Sequence, residues 1–377
     1  MAGRMAGVPG QGGATWAVLQ YLHGFAALGH DVLFVEPAEA SVEVVGYFEA
    51  VVTAEGLSGR AALLHPGRRT TGVGYADAVR FAARADVLVN LAGVLADPEL
   101  TEPVARRVFV DLDPAFTQLW QAQGIDVGLS GHDGYFTVGP AVGTAACPVP
   151  DGGVRWRPTR PPVVLDRWPA ADGPARHGWT TVGHWRSYGP VVHDGVFYGQ
   201  RAHSVRELLP LPELLAPLGA HWEPALAIDP GDDADVAALA EHGWRLLDPA
   251  VVAADPAAYH GFVTGSVGEI GIAKAGYVTS RCGWFSDRSV CYLAAGRPVV
   301  AEDTGWSAFL PAGEGLLAFT GTAGAADAVA EVAGNYHRHR KAARALAEDL
   351  FDARLVLPRL LDAGADDGGI HDGGVRP

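Results

Sequence analysis

Short apolar runs alternate with longer amphipathic stretches along the first half of the chain. Residues 14–28 repeat large apolar side chains at helical spacing, and Gly29 ends that stretch before an apolar run at residues 31–35. This order predicts a helix followed by a strand. Two later apolar runs, at residues 86–91 and 107–111, are typical of buried strands in a parallel sheet. The first half is therefore predicted to be an α/β unit with crossover helices.

The pattern is weakest at the two ends of this unit. Its first strand is expected at residues 5–8, where the apolar run is unusually short. Between residues 151 and 178, proline, glycine and arginine become frequent and periodicity is largely lost. Such a composition is typical of an interdomain linker.

The alternation of strands and helices restarts after the linker, which predicts a second α/β unit. Its strands are predicted at residues 180–185, 221–228, 261–264, 277–279, 298–301 and 315–319. Residues 323–350 have a strongly helical pattern, and Pro358 is expected to bend or begin a short helix at residues 353–361.

A chain of 377 residues exceeds the size at which one hydrophobic core stops growing, so two domains are expected. We place a Rossmann-like N-terminal domain at residues 1–160, a linker at 161–178 and a Rossmann-like C-terminal domain at 179–350. A helix at residues 351–362 is expected to return to the N-terminal domain. The tail at residues 363–377, which is rich in glycine and aspartate, is expected to be disordered.

Composition excludes several classes of protein. A formal net charge of −15 would repel a polyphosphate backbone, so nucleic acid is not an expected partner. No apolar run is long enough for a membrane span, and the N-terminus lacks the apolar core of a secretory signal, so a cytoplasmic protein is expected. The three cysteines lack metal-ligand spacing, which argues against a zinc site or a disulfide scaffold.

The segment from Tyr277 to Gly305, YVTSRCGWFSDRSVCYLAAGRPVVAEDTG, carries the most chemical information. Ser286 is placed to cap a helix whose next residues are Asp287 and Arg288. Free N–H groups and the positive end of the helix dipole bind phosphate, and Arg288 would add a charge-assisted contact. The sequence therefore predicts a diphosphate site at this helix terminus.

Part of that segment, YLAAGRPVVAEDTG, resembles the C-terminal-domain signature of GT-B retaining glycosyltransferases. The stretch SVGEIGIAKAGYV and the run GWFSDRS are similar to a bacterial glycosyltransferase family, in which a further segment corresponds to Tyr198-Gly199-Gln200-Arg201 here. LGHDVLFVE is similar to the N-terminal halves of such enzymes. The resemblance covers about residues 12–361.

The resemblance implies two Rossmann-like domains that face a cleft, and transfer of a sugar from a nucleotide-diphosphate donor to a small-molecule acceptor. Specialised-metabolite assembly is the expected setting. The C-terminal domain would bind the nucleotide sugar. The candidate donor-binding residues are Gly183, Arg201, Ser266, Glu269, Lys274, Trp284, Phe285, Ser286, Asp287, Arg288, Thr304 and Gly305.

Glycosyl transfer must neutralise a departing diphosphate, which fixed cations and helix dipoles can do without a metal. Lys274 is one of only two lysines and is expected on a short helix leading to the site; a solvated helix residue is the alternative. Structural salt bridges are the alternative for Arg201 and Arg288.

The wider GT-B family has a pair of glutamates that flank the diphosphate and ribose. This chain has Gly283 and Cys291 at those positions. Asp287, Glu269 and Glu302 are the candidates to replace them.

The N-terminal half is expected to hold the acceptor, through Gly12, Gly13, Trp16 and Asn90. Gly12 and Gly13 would allow close approach of the backbone to a sugar or phosphate, although their spacing is not the dinucleotide fingerprint.

The candidate catalytic residues are His132 and Asp133, adjacent in a glycine-flanked loop, and Asp111 at the end of a predicted strand. These side chains could act as general base or orient an acceptor hydroxyl. A loop histidine with one backbone hydrogen bond is the structural alternative for His132. Asp111 and Asp113 also match the letters of a metal clamp, but cations are already available in the second half, so no metal or other cofactor is expected.

Three other functions remain open at the level of sequence. A sugar-nucleotide epimerase would share the fold and need no acceptor. An NAD(P)-dependent oxidoreductase would use Rossmann-like halves, but no G-x-G-x-x-G follows a strand. A non-catalytic binding protein would bind the ligand without turnover. A monomer or a homodimer is expected.

Overall fold

The computed structural model describes residues 1–173 and 178–362. The predicted disorder of residues 363–377 and the end of the predicted linker, at residues 174–177, lie outside this part. Within it, no helix combines the length and the apolar character needed to cross a membrane.

The N-terminal half contains two sheet segments, of three and four strands, flanked by helices. Ala2 joins the segments because it pairs in parallel with Val35 on one side and Asn90 on the other. All strand pairs are parallel except that between β2 and β3. The strands are β1 Phe34–Pro37, β2 Ala61–His65, β3 Arg69–Gly72, β4 Val87–Leu91, β5 Arg106–Asp111, β6 Gly134–Thr137 and β7 Trp156–Pro158. The helices are α1 Gly12–Ala27, α2 Val42–Ala54, α3 Tyr75–Ala82, α4 Pro98–Thr101 and α5 Phe116–Ala122.

The second half is built on a five-stranded parallel sheet in the order β11-β8-β12-β13-β14. A separate antiparallel hairpin is formed by β9 and β10. The strands are β8 Gly178–His184, β9 Val191–His193, β10 Val196–Tyr198, β11 His221–Ala227, β12 Gly268–Gly271, β13 Val299–Glu302 and β14 Leu316–Phe319. The helices before the last strand are α6 Arg201–Glu207, α7 Leu211–Leu215, α8 Asp233–Glu241, α9 Pro249–Val252, α10 Pro256–Gly265, α11 Ala275–Ser280 and α12 Asp287–Ala294. The helices after it are α13 Gly321–Gly334, α14 Tyr336–Leu350, α15 Ala353–Val356 and α16 Pro358–Leu361.

The α/β fold class is therefore confirmed, and several elements agree with the sequence pattern to within a few residues. These are α1, β4, β5, β8, β11, β13 and β14. The strand predicted at residues 31–35 is also present, although β1 begins at Phe34. The long C-terminal helix is two helices because the chain bends at Asn335.

Two predicted strands are wrong. Residues 261–264 belong to α10, whose N-terminus is fixed by Asp255, because its side chain accepts a hydrogen bond from Ala258 N. Residues 277–279 belong to α11, and Lys274 precedes that helix instead of lying on it. The strand between these helices, β12, was not predicted.

The first strand predicted at residues 5–8 is also absent. The N–H groups of Met5, Ala6 and Gly7 donate to the Glu36 carboxylate over 2.6–3.1 Å, so they are not available to a strand ladder. At the other end of this half, residues 156–158 of the proline-rich segment form the edge strand β7.

The two halves are joined by direct contacts as well as by the chain. Gly12 N donates to Ala253 O over 2.7 Å, and Trp16 Nε1 donates to Pro256 O over 2.8 Å. Helix α15 packs against α1, where a Cβ on Gly24 would lie 2.4 Å from Leu357 Cδ1. The chain therefore crosses between the halves twice.

Candidate functional site

A cleft of about 1320 Å³ lies between the two halves, and residues from both halves line it. On the C-terminal side the lining begins at the carboxyl end of β8 and continues to the N-terminus of α12. Ligands of open α/β sheets bind outside the carboxyl ends of the strands. This cleft is therefore the candidate site.

Arg201, the first residue of α6, is held at the wall of the cleft by two backbone carbonyls. Its Nε donates to Ile272 O over 2.9 Å and its Nη1 donates to His184 O over 2.8 Å. Burial and the nearby charge of Arg288 lower the pKa of Arg201 to about 10. Within the described residues, no carboxylate forms a salt bridge with this guanidinium.

The N-terminus of α12 opens onto the same wall. Ser286 caps the helix as the sequence predicts, because its side chain accepts from Arg288 N. Arg288 is directed back to the sheet, where Nη1 donates to Val182 O over 2.7 Å and Nε pairs with Glu269. Although burial opposes its charge, the Glu269 carboxylate raises the pKa of Arg288. Glu269 is fully buried and its Oε2 has no hydrogen-bond partner.

Lys274 lies where the two halves meet. Its ammonium is 3.0 Å from Asp113 Oδ2, on the opposite half, and donates to Tyr188 OH over 2.6 Å. The rings of Phe116, Tyr188 and Tyr277 surround it at 4.3–5.3 Å. Burial lowers the pKa of Lys274, and Asp113 opposes that change.

Eight of the predicted donor-binding residues line the cleft. They are Gly183, Arg201, Lys274, Trp284, Phe285, Ser286, Asp287 and Arg288. Trp284 stacks on Tyr277 with ring centroids 4.4 Å apart, which gives the cleft a flat aromatic surface.

The other four predicted donor residues lie behind this wall. Ser266 donates to Phe262 O, and Glu269 binds Arg288 from inside the sheet. Thr304 donates to Trp284 O over 2.6 Å, and Gly305 packs against the Arg281 backbone, where a Cβ would lie 3.0 Å from Arg281 O. These residues fix the loop and the arginine that reach the cleft.

Among the predicted acceptor contacts, Gly13 is the one that lines the cleft. Gly12 and Trp16 face the contact between the halves, as described above. Asn90 is fully buried and its side chain bonds to the backbone of Leu95 in both directions.

The structure places the predicted catalytic residues away from the cleft wall. Asp111 is fully buried, and its carboxylate accepts from Thr117, Gln118, Thr137 and the backbone of Asp113 over 2.7–3.0 Å. A carboxylate with this many donors is not free to take a proton from a substrate. Asp113, the other residue of the candidate metal clamp, pairs with Lys274 instead.

His132 and Asp133 are held by other contacts. His132 Nδ1 is 3.2 Å from Leu129 O and its Nε2 is 3.1 Å from Asn90 Nδ2, while burial lowers its pKa. Asp133 is exposed just before β6 and pairs with Arg107. Both side chains are therefore engaged in contacts that hold the loop before β6 against its neighbours.

The candidates to replace the family's glutamates occupy different places. Asp287 lines the cleft at the start of α12. Glu302 lies behind the loop, where it accepts from Ala273 N over 2.9 Å. Cys291 is buried, and Gln20 Nε2 lies 3.8 Å from its Sγ.

Several lining residues have no local sequence signal that would identify them. They include Arg4, Tyr21, Trp120, His184 and Tyr188. Tyr21 is notable because its hydroxyl is buried and has no hydrogen-bond partner in the structure. The described residues contain no group of three His, Cys, Asp or Glu side chains that could hold a metal ion.

Comparison with solved structures gives matches over nearly the whole chain. Anabaena HepE in complex with UDP-glucose has a TM-score of 0.59 at 12% identity, covering 96% of this chain and 97% of that one. An alpha-glucosyltransferase with UDP and a mismatched 13-mer DNA has a TM-score of 0.58 at 11% identity, with the same coverage of 96% and 97%. AviGT4, a glycosyltransferase involved in avilamycin A biosynthesis, has a TM-score of 0.52 at 13% identity, covering 96% and 94%.

These identities are low, so the likeness establishes the fold alone. The chain folds as two Rossmann-like domains facing a cleft, the GT-B arrangement. No protein-family model matches the chain, and no curated protein matches its sequence.

Proposed function

We propose that this protein transfers a sugar from a nucleoside-diphosphate donor to a small-molecule acceptor. The observation that carries the proposal is Arg201, a nearly buried guanidinium at the cleft wall with carbonyl partners and no salt bridge among the described residues. The nearby carboxylates of Glu269 and Glu302 balance this buried charge only in part, because burial and Arg288 still lower the pKa of Arg201. A bound anion would therefore stabilise it.

The surroundings of Arg201 favour a diphosphate as that anion. Arg288 and the N-terminus of α12 lie at the same wall, and helix N-termini bind phosphate oxygens through free N–H groups. Together they could neutralise the charge that develops on a departing diphosphate, without a metal. The neighbours solved with UDP or UDP-glucose support this choice.

The acceptor would bind on the N-terminal side of the cleft. Trp120 and Asp126 line that side, and Trp284 faces it with a flat ring. An aromatic surface beside carboxylates suits a small polyhydroxylated or aromatic acceptor. Specialised-metabolite assembly is the setting we favour, a choice that AviGT4 supports by analogy of fold.

An NAD(P) oxidoreductase is disfavoured by the loop that follows Ala2. In a dinucleotide-binding fold, the N–H groups of the loop after the first paired segment of the sheet would face the diphosphate. Here that paired segment is Ala2, and the N–H groups belong to Met5, Ala6 and Gly7. In this chain they bind the Glu36 carboxylate, which would repel a phosphate at the same place.

Helix α6 provides a matched pair of variants for the test. Arg201 faces the cleft, whereas Arg206 is exposed on the same helix and pairs with Asp235. Thermal shift with UDP-, dTDP-, GDP- and ADP-sugars should identify a donor that stabilises the wild type and Arg206→Met. Arg201→Met should lose that shift and the transfer reaction while keeping its unfolding transition without ligand.

The alternatives give other results in the same assay. Conversion of the donor to a new sugar nucleotide, with no transfer to any acceptor, would establish an epimerase. Stabilisation by NAD(P) and by no nucleotide sugar would contradict the proposal, and so would an Arg201→Met protein that binds and transfers like the wild type.

A further inference from the structure

The carboxylate of Asp113 is held entirely by side chains of the opposite half. Lys274 Nζ lies 3.0 and 3.2 Å from its two oxygens, Tyr188 OH donates to Oδ2 over 2.6 Å, and Tyr277 OH donates to Oδ1. Asp113 follows β5 in the N-terminal half, whereas the three donors belong to the C-terminal half. This cluster is thus a polar contact between the two halves at the wall of the cleft.

Lys274 is also close to the cations at the diphosphate wall. Burial lowers the pKa of Lys274, and the positive charge of Arg201 lowers it further. Burial likewise lowers the pKa of His184, and both cations add to that change. Arg288, Arg201 and Lys274 differ in how their charges are balanced. Arg288 is paired with a carboxylate of its own half, Arg201 has carbonyl partners, and Lys274 is paired across the cleft.

The carboxylates of Glu269 and Asp113 differ in how easily they can separate from the cations that they pair with. Glu269 is fully buried in the sheet beside Arg288, so that pair is permanent. The Asp113 side chain retains 27% of its exposure and is attached to the other half, so any opening of the cleft separates it from Lys274. A diphosphate that enters the cleft offers Lys274 a stronger anion with more oxygens.

We propose that Asp113 is a positioning residue that competes with the donor diphosphate for the Lys274 ammonium. In the empty protein it holds Lys274 in the aromatic enclosure and keeps the halves together. When the donor binds, its phosphate replaces Asp113 on Lys274, and the carboxylate is released toward the acceptor side. This inference rests on the proposed function, since it requires a phosphate-bearing ligand.

Inorganic pyrophosphate is a suitable probe because it lacks base and sugar. Isothermal titration calorimetry would measure its Kd for the wild type, Asp113→Asn, Lys274→Met and the double variant Asp113→Asn/Lys274→Met. Asparagine keeps the size of Asp113 and one acceptor oxygen, to which one tyrosine hydroxyl can still donate. The other hydroxyl faces the amide NH2 group, from which it can accept a hydrogen bond. We expect Asp113→Asn to bind pyrophosphate about tenfold more tightly, as loss of one charge-assisted competitor implies. The double variant should lose this gain and bind no more tightly than Lys274→Met alone.

A measurement on the unchanged chain does not depend on how well the variants fold. With only Lys274 and Lys341 present, protein labelled with 13Cε-lysine gives two side-chain resonances. Lys341 is exposed on α14 and serves as the internal control. Pyrophosphate should shift the Lys274 resonance, which lies among three aromatic rings, and leave that of Lys341 in place.

The inference is overturned if Asp113→Asn binds pyrophosphate no more tightly than the wild type, or if the gain persists without Lys274. It is also overturned if the Lys274 resonance stays in place at saturating pyrophosphate. In each of these cases nucleotide-sugar binding by the wild type is unaffected, and the proposed function stands. If neither the wild type nor Asp113→Asn binds pyrophosphate or any nucleoside diphosphate, the proposed function itself fails.

Discussion

Arg201 lies so close to Gly183 that a Cβ added to the glycine would be 2.3 Å from Arg201 Nη1. The glycine therefore allows the guanidinium to lie flat against the carboxyl end of β8, between His184 O and Ile272 O. No side chain larger than hydrogen fits there without moving Arg201.

Replacement of Gly183 by alanine should weaken donor binding by about tenfold or more, because Arg201 loses its charge-assisted contact with the diphosphate. Titration of a nucleoside diphosphate measures this effect. Gly189→Ala is the matched control, since Gly189 lies in the following loop and has no atom within 4 Å of an added Cβ. Equal Kd values for the two variants would show that Arg201 does not contact the ligand.

Replacement of Glu269 by glutamine should destabilise the protein by about 3 kcal/mol, because it leaves the buried Arg288 without its counter-charge. Urea unfolding measures the loss. Glu314→Gln removes an exposed pair with Arg338 and should lower the free energy of unfolding far less. If the two costs are the same, the charge of Glu269 is not needed to stabilise Arg288.

Glu302 should make stability depend on pH. Burial raises its pKa from 4.5 to about 7, although Ala273 N–H opposes the change. Between these values the unfolded chain releases a proton that the folded protein retains, so stability falls as the pH rises and then levels off above about 7. Relative to Glu302→Gln, the wild type should lose up to about 3 kcal/mol over this range. Unfolding experiments from pH 5 to 8 measure this difference. If the free energies of unfolding of the two proteins change in parallel with pH, the prediction is contradicted.

Gly12 should be required for the contact between the halves. An added Cβ would lie 2.0 Å from Asp255 O, a backbone atom that cannot move without α10. Gly12→Ala is expected to destabilise the protein by about 1–3 kcal/mol and to separate the halves in small-angle X-ray scattering. Gly46→Ala, in the open middle of α2, should instead stabilise it by about 0.5–1 kcal/mol. A Gly12→Ala protein with unchanged stability and scattering would show that the contact is dispensable.

Local chemistry explains which parts of the fold the sequence predicts. Ser286 and the turn at Gly296 lie next to the helix they bound, so α12 and β13 follow from adjacent residues. The apolar runs at residues 261–264 and 277–279 are too short to have a period, and helix or strand is decided there by distant packing. Strand β12 contains two glycines and a buried glutamate. Both residue types are uncommon in strands, so the sequence pattern does not predict this one.

The residues of the candidate site also fall into those that the sequence predicts and those that it does not. Lys274 could be selected because lysine is scarce, and Arg288 because it follows the predicted cap Ser286. Arg201 could be selected through the family resemblance at residues 198–201. Asp113 could not be assigned its role, since its partner Lys274 is 161 residues away in sequence. The candidate catalytic residues follow from chemical type and from position in a glycine-flanked loop or at a strand end. Sequence does not reveal that donors already surround Asp111.

Helix α1 is translated early and α15 late, yet Gly24 of α1 packs directly against Ala353 and Leu357. While the ribosome is still making the second half, that face of α1 remains uncovered. Neither half can reach its final packing until the last helices have left the exit tunnel. Completion of the fold therefore requires residues 353–357, and nascent chains that stall before residue 353 are expected to need chaperones.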